Sequence, residues 1–291
     1  MSHFSPTEAA TEGIRLTRLR SRAVVIWGLA YFGFTILLGR LAELTLGPHS
    51  AELLAELQRV KSDSDAFWPL AGRMWPFFAA GIPVNLVFQA IFTCAVYRAV
   101  LDPENAQTGY MRLGADEVRM VGLNLLISLI WTGALFVVAL VALLIGATVG
   151  VIGSPFVALL GDGVIFASVA VVVWILVRLS LAGAITFSER RVQVFKSWQL
   201  TQGRFWPLCW AYVLAFLLWL ALVVAMEIAN TVIQVGVRLS GFNLSDYGAW
   251  AGPFIFLVGL LSSAGAAVVL TCFTVILTAP SAEAYRELIE P

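Results

Sequence analysis

From Met120 to Gly161 no residue of this chain carries a charge. That is far longer than the ~20 residues an α-helix needs to cross ~30 Å of hydrocarbon. Several other apolar runs reach the same length. Such runs must satisfy their backbone groups internally, and uninterrupted helical runs do so without a partner strand. Composition agrees. Hydrophobic residues make up 60% of the chain and charged residues 12%, against roughly 25% charged in soluble domains. Mean hydropathy is +0.89. The expected fold class is all-α, a polytopic transmembrane helical bundle. The formal net charge is zero, which leaves no electrostatic footprint for nucleic acid.

Six spans are expected, near Ala23–Leu46, Trp75–Tyr97, Met120–Ile145, Val164–Val177, Pro207–Val237 and Phe254–Thr278. Pro83 should kink the second, because its ring removes a backbone bond. The first follows Arg15, Arg18, Arg20 and Arg22. It is too long for a signal-peptide core and has no small-x-small cleavage site, so it reads as a signal anchor. Residues 1–22 then form a cytoplasmic tail, loose except for its end, where a helix can begin at Ile14; 23–279 form the six-span membrane domain, and 280–291 a short cytoplasmic tail after Pro280. Between the first two spans, Leu53, Leu54, Leu57 and Val60 make the apolar face of a short external helix. Gly146 to Gly163 is apolar but broken by glycines and Pro155, which suggests a connection in the outer interface. The fourth span begins near Phe156 instead if Pro155 is its first turn.

Six spans put both ends on one side. Of the 18 lysines and arginines, only Arg40, Arg59, Lys61, Arg73 and Arg238 then fall on the other. The asymmetry places both termini in the cytoplasm.

Two cytoplasmic stretches read as interfacial elbows. One spans Asp102 to Met120. The other lies between Arg178 and Trp206. There Ser188 can cap a helix and Glu189 suits its first turn. Val192, Phe195 and Trp198 share one face, and Arg190, Arg191, Gln193 and Lys196 occupy the rest. A helix with this split lies in the headgroup layer. Each span–elbow–span unit echoes the other weakly.

Polar residues inside the spans form two constellations. Asn85, Gln89 and Thr93 lie on one face of the second span, and Asn124, Ser128 and Thr132 on one face of the third. Matched by depth, they make three rungs of an interhelical ladder. Such rungs serve as hydrogen bonds between helices or line a path for a small solute. Arg40 and Glu227 both lie toward the outer leaflet. They either snorkel separately or form an ion pair between the first and fifth helices. Gly259, Ser263 and Ala267 give the sixth span a small-residue face for close packing.

Cys94, Cys209 and Cys272 sit inside apolar runs, and His3 and His49 are the only histidines. Ligand spacings for zinc or haem are lacking, so no metal or cofactor is expected. No nucleophile–base pair, phosphate loop or paired carboxylates point to catalysis.

Ser197, Trp198, Leu200, Thr201, Gly203, Phe205 and Trp206 spell S-W-x-L-T-x-G-x-F-W. This resembles the elbow of uncharacterised bacterial inner-membrane proteins similar to the membrane domain of some glycerophosphodiester phosphodiesterases. The six-span layout resembles them too. The resemblance implies a membrane module and supplies no reaction, since no soluble stretch is long enough for the catalytic domain. The expected function is a non-enzymatic inner-membrane module that interacts with membrane lipid or a protein partner, or with a second copy of itself, in envelope maintenance. The alternative is a small-solute or lipid transporter.

Overall fold

The computed structural model describes residues 6–59, 64–104, 107–239 and 251–289. Among these there is no strand. Six helices are long and apolar enough to cross a membrane, and the chain is a multi-pass membrane protein. The spanning helices are α2 (Ser21–Leu46), α4 (Ser64–Leu101), α5 (Ala115–Ile152), α6 (Pro155–Leu179), α9 (Phe205–Leu239) and α10 (Ala251–Ile289). Four shorter helices join them: α1 (Pro6–Leu19), α3 (Ser50–Arg59), α7 (Ala182–Glu189) and α8 (Val194–Leu200).

Four boundaries differ from the sequence expectation, each for a local reason. Residues expected as a loose tail form α1, which is amphipathic. It buries Ala9, Ala10 and Leu16 against α10 and α9. Gly13 makes that approach possible. A Cβ there would lie 2.8 Å from the Ile276 Cα, so only a glycine fits. The C-terminal boundary also moves. Pro280 does not end α10, which continues to Ile289. A proline inside a helix frees the carbonyl four residues earlier, here Ile276, where the Gly13 backbone packs. The contact between α1 and α10 sets both at the same end of the bundle, hereafter the basic end.

The broken connection after Gly146 is the third difference. α5 runs through Gly146 and Gly150 to Ile152, and only Gly153 and Ser154 separate it from α6. Gly153 takes a left-handed conformation (φ +63°) and its N–H bonds the Val149 carbonyl at 2.8 Å. This is the glycine stop that lets two helices fold back tightly, with Pro155 at the first turn of α6. The second elbow is the fourth difference. One helix over 189–199 is replaced by α7 and α8, separated at Arg190 (φ +54°).

Pro69, Pro76 and Pro83 recur inside α4. Their seven-residue spacing keeps them on one stripe, and all three are exposed. α3 packs on α4 through Leu53, which joins Leu70 and Met74 in a small cluster at the far end. The main core is elsewhere. It is built at the basic end from Trp27, Ala90 to Val100, Met120, Leu123, Leu181 to Ile185 and the last three turns of α10.

Candidate functional site at the basic end

Arg98 stands in the last turn of α4 and is 2% exposed. A guanidinium cannot shed its proton, so burial demands a partner. Three are present. Its Nη2 donates to Glu117 Oε1 on α5, Nη1 donates to the Tyr110 carbonyl at 3.0 Å, and the Asp116 carboxylate lies 3.8 Å away. The Phe187 ring of α7 lies 5.7 Å from its carbon. Glu117 is itself buried. One pair thus ties α4, α5 and the first elbow together.

The elbow holds this arrangement by an unusual turn. Thr108, Gly109 and Tyr110 all have positive φ, at +49°, +63° and +64°. Only the glycine adopts this without cost. Two side chains clamp the turn from opposite helices: Trp27 Nε1 donates to the Gly109 carbonyl at 2.7 Å, and Arg98 takes the next carbonyl.

Hydroxyl pairs also join other spans. Tyr31 and Thr274 hydroxyls lie 2.6 Å apart, and Gln89 lies near the Tyr31 hydroxyl. Tyr97 reaches the Ser281 hydroxyl at 3.1 Å. Tyr212 of α9 lies near the Ser281 and Ser180 hydroxyls. Gly183 of α7 lies against the Tyr97 ring, where a Cβ would clash with the hydroxyl.

The second elbow is anchored by residues of the S-W-x-L-T-x-G-x-F-W stretch. Ser197 donates to the Arg178 carbonyl at the end of α6, at 2.7 Å. Thr201 accepts from Arg178 Nη1 at 3.3 Å. Both are fully buried. Trp198 packs edge-on against Trp174, and the Arg178 guanidinium lies over both rings. Gly203 (φ +75°) makes the turn into α9. Phe195 is 78% exposed, and Val192 is exposed too. Lys196 pairs with Glu189 across the break. Arg190 and Arg191 are exposed.

Of the six ladder positions, Thr93 and Asn124 line one cavity. Gln89 turns to Tyr31 on α2 instead. Asn85, Ser128 and Thr132 are exposed, and Thr132 bonds its own helix at the Ser128 carbonyl. Arg40 pairs with Glu43, three residues on, at 2.7 Å. Its partner is therefore not Glu227, which lines a groove between α9 and α10. The buried Arg98–Glu117 pair escaped sequence reasoning because Arg98 ends an apolar run, where arginines ordinarily snorkel. Asp116 and Glu117 at the start of the third span were the available signal.

Two cavities open at this end. The first, about 200 Å³, lies among α4, α5, α6 and α7 and is mostly apolar, lined by Thr93, Tyr97, Asn124, Trp131, Leu176 and Gly183 among others. The second, about 310 Å³, is polar, with Asp102, Arg112, Asp116, Ser188, Arg190 and Arg286 in its walls. Among the described residues no cluster of His, Cys, Asp and Glu could hold a metal ion. Comparisons with protein-family models, curated proteins and solved structures found no match.

Proposed function

We propose that this chain is a non-enzymatic module of the bacterial inner membrane that holds membrane lipid and serves envelope maintenance. The observation that carries the reading is the apolar cavity among α4, α5, α6 and α7. Its walls are Leu, Ile, Val and aromatic side chains with a few polar groups, the lining that suits an acyl chain. Both termini lie in the cytoplasm, a reading supported by the excess of arginine at the basic end.

Lipid extraction and native mass spectrometry of protein purified in mild detergent test the reading. Phospholipid retained at a fixed stoichiometry is expected, and a lipid-free protein would overturn it. Specific flux through proteoliposomes would favour the transporter reading. Reporter fusions after Lys196 should report cytoplasm and those after Ser154 the opposite side. A reversed pair would overturn the topology.

A further inference from the structure

We infer that the polar cleft at the basic end binds the phosphate of an anionic phospholipid headgroup. This rests on the lipid reading above and names its headgroup site. The cleft is built where α4 ends (Leu101, Asp102), the first elbow enters α5 (Arg112, Asp116), α7 ends (Phe187 to Arg190) and α10 extends past Pro280 (Tyr285, Arg286). Three of these are element boundaries at the basic end, the level at which a headgroup would lie.

Its charges are unevenly committed. Asp116 bonds Arg119 at 2.7 Å and faces Arg98. Asp102 is also engaged. Arg286 is tied to Glu283 at 2.5 Å. Arg112 and Arg190 are exposed and form no ion pair among the described residues. Two cations without a counter-charge in one cleft select an anion. Arginine forks bind phosphate oxygens in a directed way. A zwitterionic headgroup would bring an ammonium that finds the Asp116 carboxylate already paired with Arg119.

The apolar cavity lies one helical turn deeper on two of the same helices. Tyr97 and Gly183 line it, and Leu101 and Phe187, each four residues on, line the cleft. The cleft and the apolar cavity are thus neighbours on α4 and α7. Arg190 also adopts a left-handed backbone (φ +54°), a conformation that residues with a Cβ rarely take. Local propensity alone would favour glycine at this position.

That strain provides a clean test. Arg190→Gly removes the charge while relaxing the turn, so any loss of binding cannot be assigned to a damaged fold. The full chain is placed in phosphatidylcholine nanodiscs containing phosphatidylglycerol, and the lipid retained after detergent extraction is counted. Arg190→Gly and Arg112→Gln should each lower phosphatidylglycerol enrichment about fivefold, the weight of one basic group at an anionic surface. Arg204→Gln, exposed at the same end but outside the cleft, should leave it unchanged. Equal loss in Arg204→Gln would show general surface attraction and overturn the site, as would full enrichment in both cleft variants. Binding of inorganic phosphate without lipid enrichment would overturn the lipid source. Retention of lipid by all variants alike would sink the site and leave the lipid-module reading standing, whereas absence of lipid from the unmodified protein would sink both.

Discussion

The two ends of this bundle are built differently. At the basic end Trp27, Arg98, Phe92 and Met120 are almost fully buried, and hydroxyls and one ion pair join α2, α4, α5 and α10. Toward the far end Leu143, Val151, Phe156 and Phe166 are each more than 55% exposed. There α5 and α6 meet chiefly along their own hairpin, where Gly161 sits against Ile145. Hydroxyls there bond their own helices, as Thr148 does with the Ile145 carbonyl and Ser168 with the Val164 carbonyl. In lipid, apolar helices gain little from exchanging acyl chains for one another. Packing therefore concentrates where polar groups give helices a reason to meet. The far end is left as surface for lipid.

If that contrast is right, the largest effect should come from Arg98→Met. It leaves Glu117 buried and unpaired, at about 3–5 kcal/mol. Thermal unfolding in detergent should show a large drop, and the double variant Arg98→Met with Glu117→Leu should recover most of it. No recovery would mean that the pair does more than neutralise itself. Next, Gly13→Val forces a side chain into the Ile276 backbone. A loss of about 1–3 kcal/mol is expected, with α1 released. Thiol labelling of an Ala10→Cys reporter should accelerate.

A smaller effect separates packing from charge at the second elbow. Trp198→Ala removes contacts with Trp174 and Arg178 and should cost about 1–2 kcal/mol. Lys196→Ala breaks a half-exposed ion pair and should cost under about 1 kcal/mol. Protease cleavage after Arg190 or Arg191 in inverted vesicles should rise more in the tryptophan variant. The smallest pair of changes sharpens the contrast most. Thr274→Val should cost about 0.6 kcal/mol by losing the Tyr31 bond, and Ser168→Ala at the far end should cost nothing measurable. Equal effects would mean that the two ends are held alike.

The spans themselves were legible because each apolar run exceeds what any soluble element would carry. Connections were harder. Glycines and Pro155 after Gly146 looked like a break, yet only Gly153 takes a left-handed conformation, and a helix tolerates the others within lipid. The α1 helix was hidden by its modest apolar face of alanines, which gains meaning only when α10 lies beside it. At the second elbow, periodicity could not show that Arg190 would interrupt the helix. At the site, Thr93 and Asn124 do share a cavity, whereas Gln89 chose a tyrosine on a third helix that pairwise depth matching could not include.

The seat of α1 on α10 has a consequence for biogenesis. The ribosome makes α1 long before the segment that receives it. At about 5–20 residues per second, the interval is on the order of 10–50 s. During that time Ala9, Ala10 and Leu16 have no protein surface to cover them, and the membrane interface is the nearest apolar shelter. Gly13 reaches Ile276 only after α10 has been inserted and its final turns have emerged. The contact between α1 and α10 is thus a report that α10 has been made and seated. A chain halted before α10 would display an undocked amphipathic helix.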